Sequence, residues 1–151
     1  MESRMIFDEM VRLFAELEFS PQISAGADEI YVSAPLNKIY EKADLFIHFY
    51  TEYYTVDAYL PTDTADTVIQ TELLRLINLI NYNSPFGCMS LDENGRVCYR
   101  YSASFADVSE ASVRESVYLP CYTLNRFSSA FKDVSCGKSA AESFNGSFAE
   151  S

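Results

Sequence analysis

The chain has 151 residues, 48% of them hydrophobic, with 22 acidic against 11 basic side chains for a net charge of −11. A chain of this size and apolar content builds one core without metal or disulfide staples, and two full domains would be cramped. Its acidity repels phosphate backbones and anionic head groups, so neither nucleic acid nor a membrane is an expected partner, and a basic protein or plain solubility fits better.

No stretch approaches the ~20 apolar residues of a spanning helix, and Glu2 and Asp8 near the start do not make a basic-then-apolar signal pattern. A cytoplasmic location is therefore expected, with the cysteines at 88, 98, 121 and 136 kept as reduced thiols.

Ile6, Met10, Leu13, Phe14 and Leu17 recur at helical spacing and predict a first helix over about 3–18. Ser20-Pro21 and Gly26 punctuate the chain, and a strand is expected over about 29–34, paired with a weak one near 22–24. The β-branched and aromatic run from Asp44 to Leu60 is too long for one strand and divides near Thr51-Glu52. In it Leu45, Ile47 and Phe49 alternate with Phe46, His48 and Tyr50, and Tyr54, Val56, Ala58 and Leu60 alternate with Tyr53, Thr55, Asp57 and Tyr59.

An N-cap is expected at 62–64 for a second helix, with Asp63 and Asp66 placing negative charge at its start. Ile69, Leu73, Leu76, Ile77 and Ile80 form its stripe, while Val68, Leu74 and Leu79 widen the apolar surface enough to predict burial on more than one side. Asn81, Asn83 and Pro85 stop it. A hairpin follows, with strands over 86–91 and 96–102 joined through Asn94-Gly95. Ser109 caps a third helix that runs to Gly137 and should be kinked or interrupted at Pro120. Residues 138–151 are small and polar apart from Phe144 and Phe148, and predict a disordered tail after a single α+β domain over 1–137.

Chemistry-bearing patterns are sparse. Gly137-Lys138-Ser139 lacks the earlier glycine of a phosphate loop, because position 132 is Lys132. His48 is the only histidine, which removes multi-histidine metal sites and leaves a hydrolase built on it as the least favoured reading. Cys88 and Cys98 flank the hairpin turn, and only a five-residue loop would pair them directly; a three-residue loop puts them diagonally on one face. No catalytic residue, metal or cofactor is expected.

Tyr31, Phe46, Tyr50, Tyr53 and Tyr59 gather aromatic surface of the kind enriched at protein interfaces, and these are the candidate partner-binding residues. The same rings are core if the helices cover that face, and the alternation does not choose between the two.

From Leu73 to Tyr101 the chain reads as an apolar helix ending Leu79-Ile80-Asn81, then Asn83-Ser84-Pro85-Phe86-Gly87, then the Asn94-Gly95 hairpin into Val97-Cys98-Tyr99-Arg100-Tyr101. This resembles the YbjN-like family, bacterial proteins sometimes labelled sensory transduction regulators. The similarity implies an antiparallel sheet packed with helices in the manner of type III secretion chaperones. It also implies non-enzymatic binding of another protein or unfolded segment, by strand-edge addition or apolar grooves, and a homodimer. The alternative from another class is a small-molecule-responsive regulator with a pocket between helix 2 and the sheet.

Overall fold

A computed structural model describes residues 3–26, 28–62, 64–84 and 88–149. It is an α+β structure with four α-helices and a six-stranded antiparallel sheet among those residues. The helix α1 spans Ser3–Glu16, followed by β1 (Gln22–Ile23), β2 (Glu29–Pro35), β3 (Lys42–Phe49) and β4 (Tyr53–Tyr59). The helix α2 (Thr67–Asn83) leads to the hairpin β5 (Cys88–Leu91) and β6 (Val97–Ser104), and the chain ends in α3 (Glu110–Ser135) and α4 (Ala140–Ala149). Strand order across the sheet is β1-β2-β3-β4-β6-β5, so α2 carries the chain from β4 to the hairpin, whose second strand pairs with β4.

The period of two set by the pleat assigns alternate residues to the two faces of the sheet. Ile30, Val32 and Ala34 of β2, Ala43, Leu45 and Ile47 of β3, Tyr54, Val56 and Ala58 of β4, and Val97 and Tyr99 of β6 are all buried on one face. Against them lie the apolar stripes of the helices: Ile6, Met10, Leu13 and Phe14 from α1, Leu73, Leu76 and Ile80 from α2, and Val113, Val117, Leu124, Phe131 and Val134 from α3.

The N-cap of α2 is Asp66 instead of a residue at 62–64, because its carboxylate accepts from the Val68 and Ile69 amides at 2.9 and 3.3 Å. Position 63 lies outside the described residues, as do Pro85, Phe86 and Gly87 of the family-like pattern. Pro120 does not interrupt α3: the helix runs unbroken through it, with Pro120 itself, Val117, Thr123 and Leu124 buried. Packing on both flanks outweighs the lost backbone donor, whose cost is about 3 kcal/mol.

The expected disordered tail is also corrected. Residues 140–149 form α4, which packs on α2 and α3. Its buried positions Ala140, Ser143, Phe144 and Ser147 fall at i, i+3, i+4 and i+7, a helical stripe built mostly from small residues. Phe144 stacks on Phe127 with ring centroids 6.3 Å apart.

Candidate functional site

The five aromatic residues singled out by the sequence stand on the face opposite the helices, so the reading in which helices 1 to 3 cover them does not hold. Strand register sets them in rows. One row runs Tyr31, Phe46, Asp57, Arg100, Cys88 across β2, β3, β4, β6 and β5; the next runs Ser33, Asp44, Tyr59, Cys98, Ser90; a third runs Glu29, His48, Thr55, Ser102.

Within these rows Tyr31, Phe46 and Tyr59 form a half-buried cluster. The Tyr31 and Phe46 centroids are 5.1 Å apart, and Phe46 meets Tyr59 edge-on at 5.8 Å. The Arg96 guanidinium caps the cluster 4.6 Å above the Tyr59 ring and donates to Asp44 at 3.0 Å, while the Tyr31 hydroxyl donates to the other Asp44 oxygen at 2.7 Å. Tyr50 and Tyr53 are not in the cluster. They stack on each other at 4.6 Å beside the β3–β4 turn and are 47% and 44% exposed.

Beside the rings, Asp57 is only 3% exposed and is held in a two-bond fork by Arg100, Nε to Oδ1 at 2.6 Å and a terminal nitrogen to Oδ2 at 2.9 Å. The outward strand positions carry Glu29, Asp44 and Asp57 against Lys42 and Arg100, and Arg96 and Asp92 of the hairpin cancel, so this face is nearly neutral on a chain of net charge −11. Two of its acids, Asp44 and Asp57, are paired with Arg96 and Arg100.

Burial and hydrogen bonding shift four groups on this face. The Asp44 hydrogen bond, with burial adding, holds the Tyr31 hydroxyl above its ordinary value. Burial pushes Tyr59 up to about 12 and the Cys98 thiol up to about 11, so Cys98 is a poor nucleophile at neutral pH. Its hydrogen bonds to Asp57 keep Arg100 charged. Asp92 accepts the Gly95 amide at 3.1 Å and pairs with Arg96 across a three-residue loop, which places Cys88 and Cys98 diagonally, both as free thiols. His48 lies 3.9 Å from Glu29 at the margin of this face. Among the described residues no group of three potential ligands is placed to hold a metal, and no helix is long and apolar enough to cross a membrane.

Both sheet edges are obstructed, which bears on strand addition. Backbone bonds from Leu36 to Glu41 and from Phe49 to Asp28 fix the even-numbered residues of β2 as those bonded to β3, so odd residues face the outer edge. There β1 and Ser24 cover Glu29 to Tyr31, and Pro35 has no N–H, which leaves Ser33 as the one residue of β2 offering both donor and acceptor. On β5 the outward residue Met89 donates to Asn81 Oδ1 at 2.8 Å and accepts from Asn81 Nδ2 at 3.0 Å. The Asn81 amide, at the end of α2, thus stands where a neighbouring strand would bond.

A pocket between α2 and the sheet, expected under the small-molecule reading, is filled by Leu73, Leu76, Ile77 and Ile80. An open groove of about 660 Å³ lies instead on the other side of α2, against the start of α4, lined by Leu74, Leu79, Arg75, Asn78, Ala140 and Ala141. Part of the excess apolar surface of α2 is thereby accounted for, but Val68 and Leu74 remain exposed instead of buried.

The sequence reading missed the ion pairs, the Asn81 cap and this groove. A signal existed for one of them: Asp57 interrupts an otherwise apolar and aromatic strand, and a buried acid requires a cation partner. Neither family models nor curated proteins yield a match to this chain.

Proposed function

We propose that this chain is a non-enzymatic protein-binding or chaperone-like module, related to the YbjN-like family and to type III secretion chaperones in architecture, that receives a segment of another protein on the open face of its sheet. The observation that carries this reading is the pairing of a helix-covered face with an opposite face rich in aromatic rings and internally matched charges. Rigid amphipathic rings supply contact area at low entropic cost, and an almost neutral surface admits an acidic or neutral segment that the rest of the molecule would repel. Obstructed edges turn the mechanism away from strand addition and towards side-chain docking on the face. The same face supports a homodimer.

A photocrosslinking amino acid placed at Tyr53, and separately at Tyr82 on α2, tests this in lysate of the native host. Adducts with one protein or with a second copy from position 53, lost in the Tyr50→Ser/Phe46→Ser variant with its melt preserved, support the reading. Equal adducts from both positions overturn it.

The groove against α2 and α4 favours the second reading, a small-molecule-responsive regulator. A ligand binding there raises the melting temperature by mass action, and Leu74→Glu would abolish that rise.

A further inference from the structure

The C-terminal helix α4 is a weak helix in a good site. Ten residues are too few to be helical alone, and this ten includes two serines, Asn145 and Gly146, all poor helix formers. Docking therefore holds it. The Ala140 amide at its start donates to Glu72 of α2 at 3.2 Å, and Arg126 of α3 donates to the Ser147 carbonyl in its last turn at 2.7 Å. Among the side chains of α4 that are described, Phe144 is the large buried one, against Phe127.

The fit is imperfect in two named places. Ser143 is buried with a hydroxyl that has no hydrogen-bond partner, a cost that alanine there would not carry. Gly146 sits in the helix with nothing within 4 Å of the position a Cβ would take, so glycine is not required there. The link from α3 turns at Gly137 (φ +100°), where the Gly137 and Lys138 amides donate to the Val134 and Asp133 carbonyls at 3.0 Å and close α3 by themselves, so the end of α3 does not need α4 docked to be capped.

We propose that the surface formed by α2 and α3 is a helix-binding site, and that α4 is its resident, displaceable occupant, to be replaced by a short amphipathic helix of a partner protein. The recognised pattern is a phenylalanine preceded at i−4 and i−1 and followed at i+3 by small residues, with alanine in place of Ser143 and Gly146. Such a helix keeps the buried positions held by Ala140, Phe144 and Ser147, without the stranded hydroxyl and with a better helix former. The site is separate from the open sheet face and does not depend on the function assigned to it.

A fluorescein-labelled peptide of residues 138–149 carrying the Ser143→Ala and Gly146→Ala changes is the probe, with anisotropy read on three full-length proteins. Wild type should bind it measurably. The Phe144→Ala protein, with its own helix undocked, should bind it about tenfold tighter, because intramolecular competition is removed. The protein carrying Ser143→Ala and Gly146→Ala in its own chain should bind about tenfold weaker. Equal affinity on all three, or no binding to any, overturns the proposal. Should Phe144→Ala fail to fold, hydrogen exchange of the wild type decides: amides of 141–147 opening well before those of 117–131 support a displaceable helix, and exchange only with global unfolding refutes it.

Discussion

Asn81→Ala tests the edge cap on β5. Removing the amide deletes two hydrogen bonds to Met89, whose side chain is 3% exposed, and each such bond contributes about 0.5–1.5 kcal/mol net. Alanine returns about 0.5 kcal/mol through its better helix propensity in the last turn of α2, so the expected loss is about 1–2 kcal/mol. With an unfolding entropy of about 2.1 cal/mol/K per residue over 151 residues, this lowers the melting temperature by about 3–6 °C. Asn83→Ala is the internal control. Asn83 donates to the Leu79 carbonyl one turn back on the exposed side of the same helix, and its loss should stay within about 0.5 kcal/mol. Asn81→Asp keeps an acceptor for the Met89 N–H but turns an oxygen towards the Met89 carbonyl, and should fall at or below the alanine variant at neutral pH. Urea denaturation and thermal melts by circular dichroism read all three, and light scattering reports whether the uncovered edge now self-associates. An Asn81→Ala melt indistinguishable from that of Asn83→Ala would refute the capping role.

Two further outcomes are expected. Gly95→Ala places a side chain at φ +80° with its Cβ 2.5 Å from the Thr64 carbonyl oxygen, and should cost about 2–3 kcal/mol, or about 6–9 °C in the thermal melt; a loss under 1 °C would show that the hairpin relaxes freely. Stability should fall at alkaline pH, because burial raises the Cys98 thiol from 9.0 to about 11 and Tyr59, Tyr101 and Tyr40 from 10.0 to about 12. The folded state retains these protons while the unfolded chain releases them, so the contribution is whole below pH 9 and is lost as the pH climbs through 11 and 12. Melts from pH 8 to 12 follow it, and Cys98→Ala should flatten the segment between 9 and 11; an unchanged slope there would contradict the burial account.

Much of the framework was legible in the sequence because it rests on local rules. The stripe Ile6, Met10, Leu13, Phe14 has the period of a helix, the run from Asp44 to Leu60 is too long and too β-branched for one strand, and Asn94-Gly95 demands a tight turn. These reflect backbone sterics and the separation of apolar from polar side chains, which short windows of sequence contain. The helix α4 escaped because its buried stripe is Ala140, Ser143, Phe144 and Ser147, and small polar residues carry no hydrophobic signal until a groove exists to receive them. Pro120 inside α3 is the same lesson with the opposite sign, a local breaker overruled by packing on both sides.

The aromatic alternation was visible in sequence, but which side the helices would cover was not, since both faces of β3 and β4 are rich in large side chains. That choice was made by long-range packing: the buried stripes of α1, α2 and α3 join one core with Leu45, Ile47, Val56 and Ala58. It left Tyr31, Phe46 and Tyr59 outward, with Asp44 and Asp57 brought to Arg96 and Arg100 from 52 and 43 residues away. Charge pairs at such separation leave no periodic trace, and only strand register can bring them together.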